Sequence, residues 1–185
     1  SKVGGGGVNT ACNFANLGLN TSAIFKIGND IYSEGILDFF KEKNVDLSNI
    51  IQDSAISTGF SIILVSFQGD RTVLAHRGAN AQIKKSDINF EAIKNAKLIY
   101  IAPLNGDSTK VLDEIVNFAK DNNVKVCFNA GTSSIRRGFN YIKKILENAH
   151  IVVMNKEEAS MATQIQVRPD TRDEKFSEEL IHPDL

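Results

Sequence analysis

Lys97-Leu98-Ile99-Tyr100-Ile101-Ala102 and Lys125-Val126-Cys127-Phe128-Asn129 are short apolar runs, and the segment between them, Ser108 to Asn122, carries Val111, Leu112, Ile115, Phe118 and Ala119 on one helical face. Apolar residues at helical spacing between two short buried runs read as strand, helix, strand. The unit repeats, with a helix over Phe139 to Ala149 and a strand over Ile151 to Met154. Alternation with short connections is satisfied by parallel strands flanked by helices. The expected fold class is therefore α/β: a three-layer α/β/α domain with a mostly parallel sheet.

The same rhythm extends toward the front of the chain. Ala23-Ile24-Phe25-Lys26-Ile27 is a largely apolar run ending at Gly28, which reads as a buried strand. Asp30 stands where a helix N-cap belongs, and Ile36, Phe39, Phe40 and Lys43 continue that helix with an apolar stripe. Before it, Val8, Ala11, Cys12 and Ala15 recur at helical spacing between Val8 and Leu17.

One segment breaks the alternation. Thr58 to Phe67 and Arg71 to His76 are strand-like and joined by the tight Gln68-Gly69-Asp70, so they form a hairpin. In Ile62-Ile63-Leu64-Val65 both faces of the pleat are apolar, so neither should face bulk water permanently. Such a hairpin, spanning about residues 57–78, can serve as a lid over a ligand, as a clasp for a homodimer, or as both. The alternative is an antiparallel extension of the main sheet under a helix.

Composition bounds the partners. With 185 residues, 42% hydrophobic, the chain can bury a sizeable core, and its formal net charge of -1 gives no reason to expect nucleic acid or an anionic membrane. No apolar run approaches the ~18 residues of a transmembrane span, and no signal-peptide pattern is present, which fits a cytoplasmic domain. Cys12 and Cys127 lie far apart among apolar neighbours and read as buried free thiols.

Two motifs carry chemistry. Gly4-Gly5-Gly6-Gly7-Val8-Asn9 leads into the first helix. Glycines let a backbone approach a small ligand closely, and the helix aims its positive end the same way. Asn9 offers a donor and an acceptor to a polar ligand. A flexible tag-like linker is the competing reading, and a dinucleotide loop fits less well, because its third glycine position is Asn9 and no strand precedes it. The second motif, Asn155-Lys156-Glu157-Glu158, follows an apolar strand and places an amide and a carboxylate where phosphates and magnesium collect. Taken by themselves, these two residues also suit a strand-end turn and a first-turn acid. Asn129 ends its strand and points to the carboxyl edge, where open α/β sheets bind ligands.

From Gly4 to about Ala159 the chain resembles the ribokinase (PfkB) family of carbohydrate and nucleoside kinases, of archaeal or bacterial kind. The glycine run is close to the family's GGxGxN, Ala15-Asn16-Leu17-Gly18 matches its small-residue helix end, and Ile27-Gly28-Asn29-Asp30 is close to GxD. Thr58-Gly59, Gly69-Asp70-Arg71 and Gly78-Ala79-Asn80 open, turn and leave the hairpin in family order, and Asn155-x-x-Glu158 completes the set. The resemblance implies transfer of the γ-phosphoryl of ATP to a hydroxymethyl group of a sugar or nucleoside, with magnesium (Mg2+). It implies substrate contacts from Gly5, Gly6, Gly7 and Asn9. It implies nucleotide contacts from Asn129, Asn155 and Glu158, with Glu158 holding magnesium through its waters.

The departures are as informative. The family's DTxGAGD loop supplies an anion hole and the catalytic Asp, yet no glycine follows Gly138, and Asp170-Thr171-Arg172-Asp173 imitates only the first letters. The strand that usually precedes the glycine run is also missing. Residues 1–163 therefore read as a partial ribokinase-like domain, and 164–185 as a polar loop and short helix leading to a missing nucleotide-binding part. No catalytic residue is expected in this chain, and by itself it should be inactive. The resemblance places a glutamate of ribokinases where Pro103-Leu104-Asn105-Gly106 stands here, and a lysine where Gly6 stands, so the sugar or nucleoside stays open. Two other classes remain: a non-catalytic binding or assembly module, and a dinucleotide-binding oxidoreductase domain.

Overall fold

Residues 2–67 and 69–166 are described by a computed structural model. In chain order they form α1 (Gly6–Asn16), β1 (Phe25–Gly28), α2 (Ile31–Glu42), β2 (Ile50–Asp53), β3 (Phe60–Val65), β4 (Arg71–His76), α3 (Phe90–Lys94), β5 (Leu98–Ile101), α4 (Leu112–Asp121), β6 (Lys125–Asn129), α5 (Gly131–Ile135), α6 (Phe139–Leu146), β7 (Ile151–Val153) and α7 (Lys156–Thr163). Three-residue-per-turn helices cover Gly78–Ala81, Lys85–Asp87 and Gly106–Val111. Most of the expected loop and helix over 164–185, with Asp170-Thr171-Arg172-Asp173, lies outside the described residues.

The parallel strands are those the alternation demands. β5, β6 and β7 form one sheet in that order, with Tyr100 opposite Cys127 and Asn129 opposite Val153. β1 pairs in parallel with β2, Phe25 opposite Ile50. Strand β2 is absent from the sequence reading, because Ile-Ile-Gln-Asp has no alternation of its own and becomes a strand by pairing with β1.

Helices cover both faces. Ile101, Val126 and Phe128 pack with Leu112, Val116 and Ile142 into the larger core, drawn from β5, β6, α4 and α6. Each such buried side chain contributes roughly 1.5–3 kcal/mol of transfer free energy. On the opposite face, Cys12 of α1 and Phe40 of α2 meet Val45 in a smaller cluster, joined by Phe25 from β1. Phe14 of α1 also meets Tyr100 edge-on, with ring centroids 6.0 Å apart and planes at 87°. The two helical layers with strands between them are the expected three-layer arrangement. Cys12 and Cys127 are buried free thiols, and burial pushes both pKa values up.

The expected helix over Ser108 to Asn122 divides. Its first turns, Gly106–Val111, wind more tightly, because the Ser108 hydroxyl donates to the Asn80 carbonyl and accepts from the Ile83 N–H, both at 2.8 Å. Two partners outside the helix thus compete for its start. The hairpin is present as expected. It forms a separate antiparallel pair, with Phe60 opposite His76 and Val65 opposite Arg71, and the alternative of an extension of the main sheet is not realised. Both of its faces are open in the single chain, Ile62 at 51% and Ile63 at 57% exposure.

Candidate functional site

The glycine run forms the start of α1. Gly5 is the N-cap with φ 107°, a conformation that L side chains rarely adopt, and no side chain caps the helix. The first intrahelical bond runs from the Asn9 N–H to the Gly5 carbonyl at 2.9 Å, so the amides of Gly6, Gly7 and Val8 precede the ladder. A Cβ built on Gly6 would sit 3.7 Å from Pro103 Cδ, and one on Gly7 would sit 3.6 Å from Ala102 Cβ. Those are ordinary contacts. Packing therefore does not require glycine at 6 and 7, where the start of α1 lies against Ala102 and Pro103. Asn9 is exposed on the first turn.

Ala102 directly follows β5, so this contact brings the positive end of α1 to the carboxyl edge of the β5–β6–β7 sheet. Asn129 ends β6 at that edge, and its amide donates to the Tyr100 hydroxyl at 3.0 Å. Asn155 follows β7 on the same edge, because all three strands run parallel. Strands lie about 4.8 Å apart, so β5 and β7 are separated by about 10 Å, the length of an extended small ligand.

Asn155 and Glu158 make a capping box. Asn155 Oδ1 accepts the Glu158 N–H at 2.7 Å, and Glu158 Oε2 accepts the Asn155 N–H at 3.1 Å. The turn-forming and first-turn-acid reading of this pair is thus realised in the structure. The box uses neither the Asn155 Nδ2 group nor Glu158 Oε1. Among the described residues no group of three or more His, Cys, Asp or Glu is arranged to hold a metal ion. A hollow of about 410 Å³ is lined by Lys2, Val3, Gly35, Asp38, Phe39 and Glu42, and none of the expected site residues borders it. It opens along α2 and not at the strand ends.

The base of the hairpin is built more tightly than the sequence suggests. Asp30 Oδ1 accepts the N–H groups of Tyr32 and Ser33, both at 3.1 Å, and Oδ2 accepts the Thr58 N–H at 2.8 Å. That Thr58 N–H first, and then the other donors, hold the Asp30 carboxyl below the usual carboxylate range. Nearby, Lys26 Nζ lies 3.0 Å from Asp53 Oδ2 and 3.2 Å from Asp87 Oδ2, with its side chain 5% exposed. Desolvation is the largest single influence on Lys26 and lowers its pKa, but the two carboxylates together outweigh it and the net shift is upward.

Residues 1–180 match the family described as pfkB family carbohydrate kinase. The chain belongs to the PfkB family of carbohydrate kinases. The ribokinase of Staphylococcus aureus is 29% identical over 166 residues, an alignment covering 89% of this chain and 52% of that protein. The 2-dehydro-3-deoxygluconokinase of Thermotoga maritima superposes with a TM-score of 0.78 at 18% identity, covering 96% of this chain and 59% of that one. Arabidopsis thaliana ribokinase, solved with ribose and ATP, gives a TM-score of 0.73 at 19% identity, covering 95% and 56%. This PfkB chain thus spans about half the length of the curated ribokinase it matches. Its fold is ribokinase-like, as expected. Among the described residues no helix is long and apolar enough to cross a membrane.

Sequence reading missed several contributors to this edge of the PfkB domain. Ser133 Oγ donates to Asn105 Oδ1 at 2.9 Å, tying the segment after β6 to the segment after β5. Gly131, at φ 59°, lies under Pro103, where a Cβ would approach Pro103 Cβ to 2.5 Å. The signal for Gly131 was a glycine directly after a strand end. Ser133 carried none, because its partner is 28 residues away.

Proposed function

We propose that this chain supplies the sugar- or nucleoside-binding part, and a portion of the nucleotide-binding part, of a PfkB-type kinase that transfers the γ-phosphoryl of ATP to a hydroxymethyl group. One observation carries this reading: the glycine-lined start of α1 meets the end of β5 at the same sheet edge that bears Asn129, Asn155 and Glu158. In this reading, Gly5, Gly6, Gly7 and Asn9 line the acceptor site, and the α1 amides and helix dipole complement its oxygens. Asn129 and Asn155 contact the nucleotide. Glu158 holds Mg2+ through water, a donor set that suits an ion bound by one or two carboxylates plus phosphates. Magnesium would screen the charge on the transferring phosphoryl group.

The glycine loop and catalytic Asp that the resemblance requires are not among these residues, since the last glycine is Gly138. Losing one anion-hole donor costs about 10²–10³ in rate, so turnover by this chain alone should be negligible. Titration calorimetry of the chain against sugars, nucleosides and MgATP tests the binding part of the reading. Heat of binding with a sugar or nucleoside supports it, and silence toward every one of these ligands refutes it. A coupled assay showing family-like turnover would refute the claim of inactivity. Failure of nicotinamide dinucleotides to bind would dismiss the oxidoreductase alternative.

A second reading rests on the hairpin, whose two apolar faces are open in the single chain. A homodimer formed through β3 and β4 would cover one of them. Sedimentation equilibrium should then show a concentration-dependent dimer that Ile63→Asp abolishes.

A further inference from the structure

The two strands of the hairpin leave the domain through a junction with no spare room. A Cβ on Gly59 would come 2.5 Å from Asn80 Nδ2 and 2.6 Å from the Arg77 carbonyl. A Cβ on Gly78, which sits at φ 49°, would come 2.2 Å from the Ser57 carbonyl. The Ala79 N–H donates to that carbonyl at 2.9 Å, so the outgoing strand is fastened to the incoming one. The incoming strand is in turn fastened to the domain at Thr58, which is almost fully buried. Its hydroxyl oxygen accepts the Gly28 N–H at 2.9 Å, and its own N–H donates to Asp30 Oδ2 at 2.8 Å. Gly28 must be glycine here, since a Cβ would come 2.6 Å from the Thr58 nitrogen and 2.8 Å from Asp30 Oδ2.

Asp30 therefore does two jobs with two oxygens. Oδ1 caps α2, and Oδ2 holds the foot of the hairpin. A cap needs only one of them. The second oxygen has no role in α2 and serves only the junction. Beyond it, Phe60 stacks on Tyr32 of α2 with centroids 5.7 Å apart, and the strands then run out exposed.

We propose that Asp30 is a positioning residue for the sugar-kinase reaction, fixing through Thr58 the pivot about which the β3–β4 hairpin closes over the acceptor sugar. The proposal rests on the kinase reading given above. Leverage is the physical reason. A six-residue strand is about 20 Å long, so a 10° error at its foot displaces its tip by about 3 Å. Misplacement of about 1 Å can cost 10²-fold in a positioned reaction, so a lid with this leverage needs its foot fixed.

Asp30→Ser separates the two jobs, because serine is a good N-cap but is too short to reach Thr58. Hydrogen exchange of the full chain and calorimetric titration with the best-binding sugar or nucleoside, and separately with MgATP, read out the result. Amides of residues 58–65 and 71–77 should exchange at least tenfold faster in Asp30→Ser, while β5 and β6 stay within twofold of wild type. Acceptor affinity should fall at least tenfold, with MgATP affinity unchanged, and Asp30→Asn should not restore either, because with its oxygen on the α2 cap its Nδ2 meets the Thr58 N–H donor to donor. The proposal is overturned if hairpin exchange is unchanged, or if β5 and β6 accelerate equally, which marks a general stabiliser. It is also overturned if exchange rises while acceptor affinity holds. If the wild type binds neither sugar nor nucleoside, the kinase reading fails and the positioning role falls with it. The exchange data would still decide whether Asp30 sets the pivot.

Discussion

Replacing Lys26 by methionine should unfold the junction between β1, β2 and the segment that leaves the hairpin. Lys26 Nζ is within 3.0 Å of Asp53 and 3.2 Å of Asp87, and it also reaches the Gln82 carbonyl at 3.5 Å. Methionine fills nearly the same volume, so the change is mainly one of charge. Removing it leaves two carboxylates facing each other, both partly buried, at 25% and 16% side-chain exposure. The two carboxylates then repel each other, a repulsion that water reaching both of them weakens. Breaking a buried pair by deleting one partner costs about 3–5 kcal/mol in general, so we expect about 3 kcal/mol here, where water reaches both acids. For a chain of this size that lowers Tm by about 6–12 °C.

The sign of the pH dependence follows from the raised pKa of Lys26. A cation whose folded pKa exceeds its unfolded value of about 10.4 stabilises fully below that value, and loses the contribution as pH rises through the folded pKa. The difference in Tm between wild type and Lys26→Met should therefore be flat from about pH 6 to 9 and shrink above about pH 10.5. Differential scanning calorimetry of both proteins measures it. Adding Asp53→Asn and Asp87→Asn to Lys26→Met should restore most of the loss. A drop below about 2 °C at neutral pH, or no recovery in the triple variant, would refute the reasoning.

Three further outcomes are expected. Gly78→Ala, which puts a Cβ 2.2 Å from the Ser57 carbonyl at φ 49°, should displace the hairpin foot and cost at least about 1–3 kcal/mol by denaturant unfolding. Asn155→Ala should remove the α7 cap at a cost of about 1 kcal/mol and weaken MgATP binding; Asn155→Ser should keep the cap and still weaken nucleotide binding if the amide contacts phosphate. The depressed Asp30 carboxyl contributes stability that is present above its unfolded value of about 3.9 and is lost as pH falls through its lower folded value. Protection of the Thr58 amide should accordingly persist at about pH 5 and disappear well below about pH 4, read by hydrogen exchange.

Much of the fold is a local property of this sequence. The apolar periods of β5, α4, β6, α6 and β7, the Asp30 cap and the Gly69 turn each depend on residues within a few positions of one another, so pattern and turn chemistry suffice to read them. The Asn155–Glu158 pair is also local, which is why its reading as a strand-end turn and first-turn acid, realised as a capping box, was visible. What the pattern could not supply was anything made by distant partners. Strand β2 exists because β1 lies beside it, and the tight first turns before α4 exist because Asn80 and Ile83 bind Ser108. The fastening of Thr58 to Asp30 spans 28 residues, and that of Lys26 to Asp87 spans 61. Only the folded chain puts the bare start of α1 against the end of β5. A glycine run specifies what its backbone can do but not what it lies beside, and that neighbour is set by which apolar faces find each other in three dimensions.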